Sequence, residues 1–307
     1  MERRFRNTIS FLAVALLSAS MNVACAGINK RVVAPTDSFT LLSSNHIVEI
    51  CASQETQEDP EFQSSGLPVC ASFESKSLAS GSIIRHYREP AERQERSLVL
   101  SVAHWCQPPV GNDILQMIPP GGPREMVMAG IYNISRLGTI EYAIDNLGIQ
   151  HNVTRKVSID NDVDVCLIEV ERIDMPALGI LRANPQHGDR ILNMAAPWGY
   201  FNPPNIFIDE GLYLGECRDP DVCRIVGEFN ISGIYAGQGS SGSPILVRRA
   251  GRWQIAGIIH AVRVAPFGGA YLPMGATVEQ INNVIRRDFI PYLTGQGQSN
   301  PKEPNMK

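Results

Sequence analysis

The run Gly237-Gln-Gly-Ser-Ser-Gly-Ser-Pro244 leads straight into an apolar stretch, Ile245-Leu246-Val247. A nucleophilic serine needs small neighbours, because the chain must turn sharply to lift the hydroxyl out and aim backbone N–H groups at a developing oxyanion. Glycines at 239 and 242 supply that freedom around Ser241. Upstream, Leu98-Val-Leu-Ser-Val-Ala-His-Trp-Cys106 sets His104 directly after an apolar run, and Asn161-Asp-Val-Asp-Val-Cys-Leu-Ile-Glu-Val170 sets acidic residues at the mouth of another. Taken singly, each has an ordinary structural reading: a Gly/Ser loop, a packed histidine, a solvated turn. Together they provide what acyl transfer requires, a nucleophile, a base and a carboxylate to orient the base.

The elements that would position them are mostly strands. Short β-rich runs recur between turn signals at Val69–Phe73, Gly81–His86, Ser97–Val102, Met126–Ile131, Val163–Val170, Arg190–Met194, Cys223–Phe229, Pro244–Val247 and Trp253–Ile259. Such spacing points to a barrel or sandwich rather than to βαβ units. Only the end reads as helix: Thr277 and Gln280 have the spacing of a capping box, and Val278, Ile281, Val284, Ile285 and Phe289 fall at helical intervals before Pro291. The charge-dense stretch Arg85–Arg96 is expected as a solvated hairpin loop. Residues 27–65 are polar and weakly patterned, and 294–307 are rich in Gly, Gln, Asn and Pro, so both are expected to be loose.

At 307 residues, 44% hydrophobic and 19% charged, the chain can bury a large core. Its 27 basic and 31 acidic residues leave no basic surplus to neutralise a phosphate backbone, which argues against nucleic acid as a partner. The first residues read as a cleaved secretory signal: Arg3, Arg4 and Arg6, then the apolar run Ile9–Leu17, then Ala24-Cys-Ala26 before Gly27. The apolar run is too short to span a bilayer, so no stable membrane insertion is expected. A secreted or periplasmic location follows. The alternative, lipid attachment at Cys25, has Asn22 where that signal usually has Leu. Cleavage after Ala26 removes three Arg and one Glu, leaving 281 residues and moving the formal charge from −4 to −6. The cysteines that remain, Cys51, Cys70, Cys106, Cys166, Cys217 and Cys223, are even in number and suit disulfides. Cys217 with Cys223 and Cys51 with Cys70 would close local loops, while Cys106 and Cys166 are left to pair or stay free. No Cys-x-x-Cys occurs and the histidines are scattered, so no metal site is expected.

On these segments the chain resembles the trypsin-like serine proteases. Ser101-Val-Ala-His104 is similar to the family's Ala-Ala-His, Asp164-Val-Cys-Leu167 to its Asp-Ile-Ala-Leu, and Gly239-Ser-Ser-Gly-Ser-Pro244 to its Gly-Asp-Ser-Gly-Gly-Pro. Gly188-Asp-Arg-Ile, Pro197-Trp-Gly199 and Glu210-Gly211 look like the linking stretch in Deg-type and glutamyl-endopeptidase relatives, and Ala79-Ser-Gly-Ser-Ile-Ile84 like the strand preceding the catalytic histidine. The resemblance covers residues 66–293 as a peptidase domain. It leaves 27–65 as an N-terminal extension or propeptide, and 294–307 as a flexible tail.

The resemblance implies an all-β, chymotrypsin-like double β-barrel with a C-terminal α-helix, acting without a cofactor on protein or peptide substrates. Ser241 would be the nucleophile, His104 the base and then the acid, and Asp164 the residue that orients the imidazole. The N–H groups of Gly239 and Ser241 would form the oxyanion hole. Asp160 and Asp162 compete for the acidic role; Asp164 has the family's small residue and leucine at the right offsets. Ser240 stands where digestive relatives have the Asp that pairs with a new N-terminus, so activation by that ion pair is not implied. Tyr235 stands where trypsin selects Lys and Arg by an acidic residue, which disfavours cleavage after basic residues. Val262 would narrow the substrate pocket toward small or apolar side chains. His260 is near where glutamyl endopeptidases bind an acidic side chain, but displaced by one position, which on a strand turns a side chain to the opposite face. The function implied is a secreted serine endopeptidase; the alternative is a catalytically silent binding module on the same scaffold.

Overall fold

The computed structural model describes residues 34–66, 69–107, 124, 127, 132–217, 228–264 and 271–295. The signal segment, the Met126–Ile131 strand expectation except Val127, which is helical, Cys223 and most of the tail lie outside them. A 3₁₀ turn at Pro35–Ser38 opens the first barrel. It is followed by β1 (Phe39–Ala52), helical turns α1 (Gln54–Glu58) and α2 (Pro60–Ser64), β2 (Cys70–Arg88), β3 (Glu95–Ser101), the one-turn helix α3 (Ala103–Cys106), β4 (Tyr132–Asp145), β5 (Gln150–Asp160) and β6 (Val165–Glu171). The six strands close antiparallel in the order β1-β2-β3-β6-β5-β4. β3 and β6 are buried along nearly their whole length, so Leu98, Val99, Leu100 and Val165–Ile168 form a continuous apolar wall.

The barrel starts earlier than the sequence suggested. Residues 39–52, expected within a loose extension, form a full wall paired with β2 from Phe39↔Ser82 to Cys51↔Cys70 and with β4 from Thr40↔Asp145. Alternation is masked there because buried positions of β1 carry polar side chains. Thr40, Ser43, Ser44 and His46 are all buried, and the His46 ring is held by Ser44 Oγ at 3.1 Å and Thr139 Oγ1 at 3.2 Å. The two runs expected at 69–73 and 81–86 are one long strand, β2. The charged stretch is a hairpin whose turn is confined to residues 89–94, with Arg96 buried in β3.

The second barrel comprises β8 (Arg190–Ala195), β9 (Phe207–Glu216), β10 (Phe229–Ser232), β11 (Pro244–Arg249), β12 (Arg252–Val264) and β13 (Tyr271–Thr277), with a two-residue strand β7 (Gly179–Ile180) pairing parallel to β12. The ring runs β11-β8-β9-β10-β13-β12 and closes by β11–β12 pairing. Phe229 fills its centre. A Cβ on Gly257 would lie 2.2 Å from the Phe229 ring, so these neighbours must be small.

β13 runs into helix α4 (Val278–Val284), which begins with the capping box of Thr277 and Gln280. The chain continues through a wider turn, Ile285–Phe289, to α5 (Ile290–Leu293). This C-terminal helix leaves the second barrel and packs on the first. Phe289 is fully buried, its ring edge-on to Tyr87 at 5.2 Å, and the Tyr292 hydroxyl donates to Glu169 Oε2 at 2.9 Å. The architecture is thus the all-β double barrel with a C-terminal helix. No helix among the described residues is long and apolar enough to cross a membrane.

Two disulfides join described cysteines. Cys51–Cys70 links the last pair of β1 and β2, the local bridge anticipated, and Cys106–Cys166 ties α3 to β6. Cys217 is also disulfide-bonded; Cys223, its expected partner, lies outside the described residues.

Candidate active site

Buried β3 carries the chain into the seam between the barrels, and α3 turns it so that Ala103, Trp105 and Cys106 face inward while His104 projects outward, 44% exposed at its side chain. Asp164 ends the β5–β6 turn with a positive φ of 53°, a backbone region in which Asp is among the more tolerant residues. Its carboxylate is buried. Oδ2 lies 2.8 Å and Oδ1 3.1 Å from His104 Nδ1, and Oδ1 also accepts the His104 backbone N–H at 3.0 Å. A carboxylate only accepts, so Nδ1 carries the proton and Nε2 is left as the basic nitrogen. Burial pushes the Asp164 carboxyl upward, but the hydrogen bond and charge of His104, with a smaller contribution from the charge of His260, hold it below the usual carboxylate range. The Cys106–Cys166 bridge lies two residues beyond each member of the couple and fixes their separation covalently.

The competing carboxylates have other surroundings. Asp160 Oδ1 accepts the N–H groups of Asp162 and Val163 at 3.0 and 3.2 Å, closing the turn, and its Oδ2 meets Arg287 at 2.8 Å. Asp162 is exposed.

Ser241 belongs to the second barrel, and its loop is fastened to the first by Ser80 of β2. Ser80 N–H donates to Ser241 O at 2.7 Å, Ser80 Oγ donates to Gly239 O at 2.8 Å and accepts from Ala196 N–H at 3.1 Å, and Ser80 O accepts from Ser101 Oγ at 2.8 Å. Glycine is obligatory at two points. Gly239 and Gly242 have φ of +88° and +83°, and a Cβ on Gly242 would lie 2.1 Å from Ser80 O. The carbonyls that share a peptide unit with the Gly239 and Ser241 N–H groups are themselves held: Gln238 O accepts from Trp198 N–H, and Ser240 O from Ser243 N–H at 3.0 Å. Among the described residues, those two N–H groups donate to no protein acceptor. Two adjacent free donors beside a serine hydroxyl can receive an oxyanion. The Ser241 hydroxyl makes no hydrogen bond to His104 among the described residues, a contact often long until substrate binds. Ser240 is buried, its Oγ accepting Gly237 N–H at 3.2 Å.

The expected pocket residues part company. Tyr235 and Val262 are both well exposed, but Tyr235 joins an aromatic group: its hydroxyl accepts from Trp198 Nε1 at 3.0 Å and its ring meets Phe207 edge-on at 6.1 Å. His260 is not a pocket residue. It falls where the β12–β13 register slips between Ile259 and Ala261, and this bulge turns the ring into the protein. There Nε2 lies 2.8 Å from Glu228 Oε2, and the side chain is 1% exposed. Ser80, Trp198 and Glu228 escaped the sequence reading as site residues, although Ser80 and Trp198 lie in stretches that carried the resemblance. Trp198 lines a cleft of about 200 Å³ with Lys76, Leu78, Gly199, Gln238 and Gly239. The one grouping of metal-ligand type among the described residues, Glu49 with Cys51 and Cys70, has both thiols bound in a disulfide.

No protein-family model matches the chain, and no curated protein matches it. Solved structures that superpose on it include the HtrA-type protease AlgW with a decapeptide (15% identity, covering 83% of this chain and 63% of that one, TM-score 0.49). The Rv3671c protease of M. tuberculosis in its active form superposes with 15% identity, covering 79% and 80% of the two chains, at a TM-score of 0.44. The serine endoprotease of Yersinia pestis does so with 12% identity over 84% and 64%, at 0.45. Likenesses this distant assign neither family nor activity. What the chain can do chemically rests on its own paired imidazole and carboxylate and on the glycine turn that presents Ser241.

Proposed function

We propose that the chain is an exported serine endopeptidase that hydrolyses peptide bonds through an acyl-enzyme on Ser241. The observation that carries this reading is the His104–Asp164 couple, with both carboxylate oxygens on Nδ1 and the backbone N–H, set across the seam from a glycine-flanked serine. His104 Nε2 takes the Ser241 proton as Oγ attacks the scissile carbonyl, and Asp164 stabilises the imidazolium that results. The carbonyl oxygen becomes an oxyanion received by the N–H groups of Gly239 and Ser241. Collapse expels the amine, protonated by His104, and leaves an ester on Ser241. Water, deprotonated by His104, then attacks the ester and restores the serine. Disulfides at Cys51–Cys70 and Cys106–Cys166 support an oxidising compartment.

On specificity, the ring of Tyr235 and the side chain of Val262, both exposed, support a small or apolar residue on the acyl side of the cut; the Asp209 carboxylate beside Tyr235 is engaged by the Tyr235 backbone N–H at 2.8 Å. The acidic preference loses its basis, because the imidazole that would bind the carboxylate is buried against Glu228. The test is labelling with a fluorophosphonate followed by mapping of the modified peptide. The expected result is a single adduct on Ser241, lost in Ser241→Ala together with nearly all hydrolysis. A protein that neither labels nor cleaves would be the silent module instead.

A further inference from the structure

Two buried ionisable groups, His260 and Glu228, take no part in the steps above. Both are almost wholly shielded from solvent. His260 sits on the segment of β12 that touches the nucleophile loop, between Ile259, which receives Gly242 N–H and donates to Ser243 O, and Ala261. Its Nε2 lies 2.8 Å from Glu228 Oε2, and its Nδ1 lies 3.9 Å from Asp164 Oδ2 and has no hydrogen-bond partner. The same Oδ2 receives His104 Nδ1 at 2.8 Å. Asp164 therefore stands between two imidazoles, and His260 between two carboxylates.

The chemistry of the groups fixes how such a line can be occupied. An ionised Glu228 accepts and cannot donate, so His260 Nε2 holds a proton. If that were the ring's only proton, Nδ1 would turn a bare lone pair toward a buried carboxylate. With a proton on Nδ1 as well, the ring is a cation flanked by two anions, which is how a buried charge is tolerated. Among the described residues, the charged or titratable groups within ion-pair distance of His260 are Asp164, from the β5–β6 turn, and Glu228, from the segment before β10; His104, on α3, lies beyond Asp164.

We propose that His260 and Glu228 form a second imidazole–carboxylate couple that backs the first. His260 acts as a positioning residue that holds the Asp164 carboxylate against His104, and Glu228 fixes the ring of His260. This rests on the serine-protease reading for its consequence in turnover, but the couple itself can be read without turnover. A positive charge behind Asp164 opposes the charging of His104. Removing it lets His104 protonate more easily, so the titration of His104 moves to higher pH.

The experiment uses the full chain carrying Ser241→Ala and follows the His104 imidazole by NMR against pH, alone and with Glu228→Gln or His260→Gln. Glutamine at 228 keeps an oxygen for Nε2–H but removes one of the two anions that hold the second proton on His260, so the ring is expected to go neutral and the positive charge behind Asp164 is lost in this variant too. Each variant is expected to raise the His104 midpoint by about 0.5–1 pH unit. In the Ser241 enzyme, each variant should lower kcat at pH 7 about tenfold, with KM little changed and the acid limb of kcat/KM displaced upward by the same amount. An unmoved His104 midpoint in both variants would overturn the proposal, even if stability and kcat fell, since that is how a merely structural pair behaves. If Glu228→Gln fails to fold, His260→Gln alone decides by the same readout. Failure of the protease reading would show separately, as absence of fluorophosphonate labelling in the unsubstituted enzyme, and leaves the midpoint measurement intact.

Discussion

Ser80 touches no reacting atom in the proposed mechanism, yet its hydroxyl is expected to carry a share of the rate. In Ser80→Ala the Gly239 carbonyl loses its donor and the Ala196 N–H its acceptor, at 2.8 and 3.1 Å respectively, both in a buried seam. Each stranded group costs about 1–3 kcal/mol, so the two together cost about 2–6 kcal/mol, less whatever the seam recovers by relaxing. The catalytic effect arises because Gly239 carries one of the two free N–H groups. If that donor moves out of register, the loss should approach that of deleting an oxyanion donor, about 10²–10³ in kcat. KM should change little, because the interaction is formed only in the transition state. The assay is steady-state hydrolysis of a peptide ester and a peptide amide, with thermal unfolding followed in parallel and Ser101→Ala as a companion. Ser101 makes only the bond to Ser80 O in this network, so its loss should be smaller on both scales. A Ser80→Ala enzyme with unchanged kcat and melting temperature would refute the view that the first barrel holds the nucleophile loop in place.

Asp164→Asn should lower kcat by about four orders of magnitude at neutral pH, by supporting the wrong imidazole tautomer, whereas Asp162→Asn should be almost silent; the reverse ranking in steady-state kinetics would move the acidic role. The Asp164 carboxyl is held below its ordinary range when folded, so its contribution to stability is present above the unfolded pKa and lost as pH falls through the folded one. Melting temperature below about pH 4 should therefore fall more steeply with acidification in the unsubstituted protein than in Asp164→Asn, and equal slopes would contradict this. Replacing Cys106 and Cys166 together by Ser opens a 60-residue span, expected to cost about 4 kcal/mol by the chain-entropy model. Denaturant unfolding should show that loss, along with a fall in kcat from a less firmly held His104–Asp164 couple.

What was legible in the sequence was what local pattern encodes. His104 and Asp164 each adjoin a run of apolar residues that became a buried strand, and Ser241 lies between glycines that the turn requires. The capping box at Thr277 and Gln280 needs only a spacing of three. The first strand was hidden because polar residues occupy its buried positions, two of which, Ser44 and His46, find partners on β4, far away in sequence. β4 and β5 were hidden too, since Ile140 and Ile159 on the strands and Ile149 in the turn between them face solvent and blur the alternation. The role of Ser80 depends on contact with a loop some 160 residues away, which no window can see. For His260 the one-position offset was visible, but the bulge that turned the ring inward was not.

The C-terminal helix has a consequence for how the molecule is made. Tyr292 reaches Glu89 across 203 residues, and Phe289 covers Tyr87 in the same region. During synthesis the end of the first barrel around Tyr87 and Glu169 therefore emerges long before the residues that cover it. Contacts so distant along the chain form late, because the loop between them must be closed first. The half of the molecule that carries His104 and Asp164 is thus completed by a segment 123 residues beyond Glu169. A chain truncated before residue 278 leaves an apolar opening in the first barrel as well as an uncapped second one.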